Sequence, residues 1–376
     1  MKFGIFDHLD RSGPDAERQY EERLRLIELY EWAGFHAYHV AEHHGTPLGV
    51  APSPGLFLSA VAQRTTTLRF GPLVYPLGLY HPLRLAEEIC MLDQMSGGRL
   101  ELGVGRGASP YEAAFFGVDP ATAAERFDEV LGLVLKGLVT GRLDGKGKHF
   151  TFDNVPLEVT TVQRPHPPLW HVSRSLESAP RLAGEGSNVA LSLPTAAAAD
   201  FCGAYRASWI ALERSPDDMP FLGNTRNVVV GDNDREAIAI AKRAFKVWYD
   251  SLVHLWRVHD VALPKQIFPS EFEDAVAEGY VVAGSAGRVL EQMRADIDKT
   301  GINYALCRFA YGDLTFEESA RSIRLFSREV MPELSPARAT SATPACPPAS
   351  STASATTARN RASISRFRSG RAHIRP

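Results

Sequence analysis

The chain has 376 residues, 44% hydrophobic and 23% charged, an ordinary globular composition sufficient for one large domain or two small ones. No stretch nears the ~18 consecutive apolar residues of a membrane span, and the chain opens on a strand-like run, Lys2 to Phe6, so a cytoplasmic protein without membrane association is expected. The net charge of −3 conceals an asymmetry, because residues 335–376 hold seven arginines and no acid; the acidic remainder argues against nucleic-acid binding.

Short β-rich runs alternate with helical patterns along the body, the signature of repeated βα units around a parallel sheet. Strands are expected near 2–6, 35–41, 68–75, 99–104, 168–172, 188–192, 223–230 and 302–308. After the first, Leu24, Ile27, Tyr30 and Ala33 recur at helical spacing, and Gly34 stands where a helix takes a left-handed stop. Ile238, Ala241, Phe245, Trp248, Tyr249 and Leu252 share a second helical face, and Ile323, Phe326 and Val330 a third. Eight such units predict a (β/α)8 TIM barrel with insertions over residues 1–334. The insertions are expected at 142–165, as a small hairpin, and at 255–283, as an active-site lid or a surface excursion. Residues 335–376, rich in Pro, Ala, Ser, Thr and Arg, cannot offset their ordering entropy by burial and are expected to form a disordered basic tail.

Barrel chemistry gathers at the C-terminal ends of the strands. Those ends carry Asp7 and His8, then Glu42, His43 and His44, then Arg106, then Ser173 to Ser175, then Ser192. His39 to His43 spells H-x-x-E-H, a zinc-protease motif that works only on a helix. On a strand, residues four apart stand about 13 Å from each other, whereas ligands of one zinc lie about 2 Å from it. No metal is expected. The four cysteines are scattered without a C-x-x-C pair, and no G-x-S-x-G elbow supports acyl chemistry.

Gly103 to Ala108 loosely fits a dinucleotide fingerprint, yet Pro110 follows at once and no ribose-binding acid is evident. A glycine turn bringing backbone and Arg106 to a phosphate explains it better, with a purely structural turn as the alternative. Ser173 to Ser178 closes a strand and opens a helix, which suits either an anion site or ordinary N-capping. Arg126, near another helix start, would be a third cationic partner or a plain surface arginine.

The opening Met1 to Gly4, the strand end Ala41 to His44, His81-Pro82, the run Leu92 to Arg99 and Gly105 to Gly107 together resemble the bacterial luciferase-like flavin-dependent monooxygenases. The likeness continues through Trp248 to Ser251 and Lys299 to Ile302 to Val330 to Pro332, and is greatest to the light-emitting α subunit and its relatives. It implies a (β/α)8 barrel, commonly dimeric, that receives reduced FMN (FMNH2) from a separate flavin reductase and reacts it with O2 through a C4a-peroxyflavin to oxygenate a small apolar or aromatic organic substrate. By the same resemblance His43 is the catalytic histidine, and Arg106, Arg126, Ser175 and Ser178 are the phosphate grip. Glu42, Val74, Val172, Arg174 and Ser192 match flavin-lining positions. A histidine suits such a site, which needs a dry pocket and one group able to exchange protons near neutrality.

Two departures weigh against light emission as the role: Gly105 stands where the α subunits carry a reactive cysteine, and Glu112 where they carry aspartate. Phe115 and Phe116 are candidate substrate walls. The rival readings are an oxidoreductase of the same fold using the deazaflavin F420 and a non-catalytic flavin-binding partner subunit. The retained His43 disfavours the second.

Overall fold

The computed structural model describes residues 1–335 other than 14, 108 and 264–267. Eight parallel strands form the barrel: β1 (Lys2–Asp7), β2 (Ala37–Val40), β3 (Arg69–Pro72), β4 (Leu102–Gly105), β5 (Leu169–Ser173), β6 (Asn188–Leu191), β7 (Leu222–Gly231) and β8 (Tyr304–Arg308). Each expected strand is present, generally within narrower bounds. In-register ladders run from β3 through β2 and β1 to β8, then through β7, β6 and β5 to β4. The ring closes at β4 through a parallel bridge, Phe70 to Leu100, and through Tyr75 and Pro76, just after β3, which pair in parallel with Val104 and Gly105. The tail expected beyond 335 lies outside the described residues.

That closing seam is built for close approach. A Cβ on Gly71 would overlap the carbonyl oxygen of Glu101, and one on Gly103 would overlap that of Pro72, so both positions admit only glycine without movement. Arg69 supplements the short ladder, donating from Nη1 to Gly98 O at 3.3 Å and from Nη2 to Leu100 O at 3.2 Å. It also pairs with the buried Glu101 carboxylate, which accepts from Trp170 Nε1 at 2.6 Å.

The helices wrap this ring through the predicted faces. Ala16–Trp32 buries Ile27 and Tyr30, and Gly34 follows its end at φ +81°, the left-handed stop read from the sequence. Asp234–Leu252 buries Ala241, Phe245, Trp248 and Tyr249, with Ile238 and Leu252 packed at its margin. Inside the barrel, Phe6, Leu73, Trp170, Tyr304 and Leu306 form a separate apolar cluster that fills its floor. His39 belongs to this floor: it is fully buried, its Nε2 lies 3.3 Å from the Tyr304 hydroxyl, and its ring meets Trp170 edge-on.

The first insertion contains the expected hairpin, Arg142–Lys146 paired antiparallel with Thr151–Pro156. The second is more ordered than expected over its described part. Helices His254–Val258 and Phe272–Ala277 lead to a further parallel strand, Val281–Ser285, which pairs with the second half of β7. No helix among the described residues is long and apolar enough to cross a membrane.

Candidate active site

A cavity of about 380 Å³ opens at the C-terminal ends of the strands. Seven of the sequence-derived candidates line it: Glu42, His43, Val74, Arg106, Val172, Arg174 and Ser192. Its remaining walls are largely apolar, with Phe6, Leu48 and Leu73 from the barrel, Leu252 from the end of helix Asp234–Leu252, and Leu255, Trp256 and Phe268 from the second insertion. A concave, mostly apolar pocket with a few polar groups is the usual form of a small-molecule or cofactor site.

The end of β2 is held by a ring of hydrogen bonds. His43 Nδ1 lies 3.0 Å from Glu112 Oε1, and the same oxygen accepts from the backbone N–H of His44 at 3.0 Å. A carboxylate only accepts, so this contact places the His43 proton on Nδ1 and leaves Nε2 as an acceptor. Glu42 is used differently: Oε1 lies 2.9 Å from His44 Nε2, and Oε2 accepts from the Tyr80 hydroxyl at 2.6 Å. Burial pushes the Glu42 carboxyl upward, against the pull of its His44 and Tyr80 hydrogen bonds.

Of the two polar residues after β1, only His8 reaches the cavity. Asp7 is consumed in the fold, accepting from Arg23 Nη1 at 3.1 Å, Tyr38 Oη at 2.8 Å and Leu9 N at 2.7 Å. His8 Nδ1 accepts from Trp248 Nε1 at 3.1 Å, which fixes its proton on Nε2. Burial, with Arg308 and then His43 nearby, holds the His8 imidazole well below its usual range, so it is a neutral hydrogen-bond donor.

Of the four residues assigned to the phosphate, Arg106 lines the cavity and the other three do not. Arg106 stands exposed at the cavity. Arg126 does not line it, because its Nε donates to Gly78 O at 2.6 Å and its guanidinium lies 4.7 Å over the Phe150 ring. Ser178 Oγ is turned inward, 2.6 Å from Ser173 Oγ and 2.7 Å from Ser175 O. Neither Ser175 nor Ser178 caps a helix N–H with its side chain, and Ser173 Oγ instead accepts from the backbone N–H of Ser175 at 3.2 Å. Arg174 faces the cavity with its guanidinium 5.6 Å from the Phe268 ring.

The departures noted in the sequence have local causes. A Cβ at Gly105 would come within 2.5 Å of Val74 Cγ2, so a cysteine there requires Val74 to move. Glu112 reaches the end of β2 from the helix Pro110–Phe115, and its length is used fully by two hydrogen bonds. Phe115 and Phe116 are not cavity walls: both are about half exposed, and Phe116 packs edge-on against His44 at 4.6 Å.

Sequence reasoning missed Arg308 and Thr225 as cavity groups, and offered the second insertion as a lid without naming Leu255, Trp256 or Phe268. Thr225 Oγ1 lies 2.7 Å from Ser192 Oγ. Arg308 had a signal in the sequence, as a charged residue at the C-terminal end of an apolar barrel strand. The insertion residues had only the departure of 255–283 from plain βα alternation, because a wall assembled from distant segments leaves no local pattern for single side chains.

The luciferase-like monooxygenase family matches residues 1–304 of this chain. An uncharacterised protein, y4wF, of Sinorhizobium fredii (strain NBRC 101917 / NGR234) is 42% identical over 331 residues, covering 88% of this chain and 96% of its own length. The oxygenase component of a flavin-dependent trigonelline monooxygenase from Acinetobacter baylyi (strain ATCC 33305 / BD413 / ADP1) is 27% identical, covering 89% and 96%. Among solved structures, the monooxygenase RslO1 from Streptomyces bottropensis superposes with a TM-score of 0.80 at 28% identity, covering 89% of this chain and all of that one. With the barrel, the polar strand ends and the His43 site in one place, the resemblance seen in the sequence is a kinship: this chain belongs to the luciferase-like monooxygenase family.

Proposed function

We propose that the protein is the oxygenase of a two-component system, using reduced FMN and O2 to insert one oxygen atom into an apolar or aromatic organic molecule. The observation that carries this reading is the placement of His43, with its Nδ1 fixed by Glu112, on the wall of an apolar cavity whose rim holds Arg106 and Arg174. Those groups suit the cofactor's needs, an apolar slot for a flat ring and cations for a phosphate. Reduced FMN supplies the electrons that let O2 give one oxygen atom to the substrate, the other leaving as water.

The chain's own residues then have distinct tasks. Arg106 draws the phosphate to the rim, with Ser175, Ser178 and Arg126 completing the grip once the two hydrogen-bonded side chains exchange their internal partners. Val74, Val172 and Ser192 border the ring, and Glu42 supports the strand end beneath it. The apolar walls exclude water. His43 accepts and returns a proton at Nε2 during oxygen transfer, a role worth ~10² to 10⁴-fold for general acid–base groups. Its partners in this reading are a flavin reductase and a second copy of the chain. The relative named as an oxygenase component supports the first.

Anaerobic titration with reduced FMN, followed by oxygen and a substrate panel, tests the proposal. Binding of reduced FMN with oxygenated product replacing hydrogen peroxide is the expected result. Failure to bind reduced FMN overturns it, and tighter binding of reduced F420 transfers the site to deazaflavin chemistry.

A further inference from the structure

Arg308 is a buried cation whose hydrogen-bonding capacity is only partly used. It closes β8 at the cavity wall and is 2% exposed. Its Nη1 donates to Asn227 Oδ1 at 2.5 Å, while Nε and Nη2 have no hydrogen-bond partner. Among the described residues no carboxylate forms an ion pair with it. Its Cζ lies 5.0 Å from the Phe6 ring and 5.1 Å from the Trp248 ring, so aromatic faces hold the guanidinium plane. Burial draws its pKa down only to about 10, because the nearby Asp10 and Asp7 carboxylates oppose the shift, which leaves it charged at neutral pH.

Another buried arginine of the same barrel provides the contrast. Arg226 directs Nε and Nη2 at one carboxylate, Asp296, at 3.1 and 2.7 Å, and spends Nη1 on the carbonyls of Leu193 and Thr225. Nε and Nη2 form the edge of the fork that matches a carboxylate in two parallel bonds. In Arg308 that edge is vacant. Asp10 and Asp7 lie near enough to act on the charge but give this edge no hydrogen bond, and an arriving carboxylate would supply one.

Arg308 is also remote from the phosphate end. Around the ring, β8 is four strands from β4, where Arg106 stands, and three from β5, which leads to the Ser173 to Ser178 run. The neutral His8, a donor at Nε2, lines the same cavity beside it.

We propose that Arg308 receives a carboxylate of the organic substrate, so that the molecule oxygenated here is an apolar or aromatic acid held by its carboxylate at the β8 end of the cavity. The inference rests on the cavity being the oxygenation site, and it deepens that reading by naming the substrate class. Arg308 is then a specificity-determining residue: an amide or alcohol of the same shape leaves its buried N–H groups unpaired and is rejected.

Calorimetric binding of two matched pairs, benzoate with benzamide and octanoate with octanamide, tests this on the full chain without flavin. At least one acid is expected to bind tenfold or more tightly than its amide. In Arg308→Leu the preference is expected to fall to threefold or less. Arg308→Lys keeps the charge but not the planar fork, and should retain less than half of the preference on a logarithmic scale; it decides the matter if the leucine variant does not fold. Equal binding of acid and amide by the unmodified protein overturns the proposal, as does a preference that survives both substitutions. A loss confined to flavin affinity in the Arg308 variants also overturns it and reassigns the residue to the cofactor. Because the acid preference is read without flavin, failure of reduced FMN to bind would count against the proposed function separately.

Discussion

Glu112 Oε1 is shared by two donors from one dipeptide, Nδ1 of His43 and the main-chain N–H of His44, each at 3.0 Å. A single oxygen thereby fixes the ring orientation of His43 and the path of the chain that carries it. Two residues 69 positions apart act as one unit, with Glu112 as the positioning residue.

That coupling predicts non-additive kinetics. His43→Ala is expected to divert oxygen from product to hydrogen peroxide, lowering coupled turnover ~10² to 10⁴-fold with FMN affinity nearly unchanged. Glu112→Ala should reproduce much of the loss, and the double variant should be little worse than His43→Ala alone. Glu112→Gln, which retains an acceptor, should recover part of the activity. The measurement is product formed per NADH consumed with a reductase present. Losses that multiply in the double variant would separate the two roles.

At the rim, Arg106 and Arg126 are expected to contribute unequally. Charged hydrogen bonds contribute about 1.5 to 3 kcal/mol, so Arg106→Ala should weaken FMN roughly ten- to a hundredfold and leave riboflavin affinity unaltered. Arg126, already held by Gly78 and Phe150, should show a smaller effect. Fluorescence titration with both flavins measures the difference, and equal effects on the two ligands would argue against a phosphate contact.

The barrel seam makes a prediction about stability. Gly103→Ala forces a methyl group into the Pro72 carbonyl, backbone against backbone, where no side chain can yield. Overpacking of this kind costs ~1 to 3 kcal/mol or more. Urea denaturation should place Gly103→Ala well below Gly132→Ala, a position with nothing near its Cβ.

Acid should destabilise the fold through His39. Burial lowers its pKa from 6.5 to about 3, with His36 and Arg69 adding to the shift. The unfolded chain therefore takes up a proton below pH 6.5 that the folded chain refuses, so stability is full above that pH and falls as pH drops toward 3. Between pH 7 and 5 the loss is about 2 kcal/mol from this residue. Denaturant midpoints across that range should show it, and His39→Gln should flatten the dependence.

Much of the fold was legible because each barrel strand announces itself locally. A run such as Val189 to Leu191 between a glycine and a proline needs no partner to be recognised. The strand Val281–Ser285 was not separated from its insertion, since only pairing with the far half of β7 distinguishes it from a buried loop. At the site, Glu42, His43 and Arg106 could be named because strand ends bear function in this architecture. The inward turn of Ser178 and the vacant edge of Arg308 depend on side-chain contacts that spacing does not encode.

The insertion that supplies Leu255, Trp256 and Phe268 begins directly after Asp234–Leu252 and ends in a strand paired to β7. One wall of the cavity is thus spliced between two fixed attachment points on the barrel, while His43, Arg106 and Arg308 stand on the barrel strands or directly after them. Such an arrangement separates the fit of the substrate's apolar part, shaped by the insertion, from the oxygen chemistry and the Arg308 contact, which belong to the barrel. Exchange of residues 254–280 between relatives should transplant the preference for the apolar part of the substrate as a cassette, with the oxygen chemistry and the acid requirement left behind in the barrel.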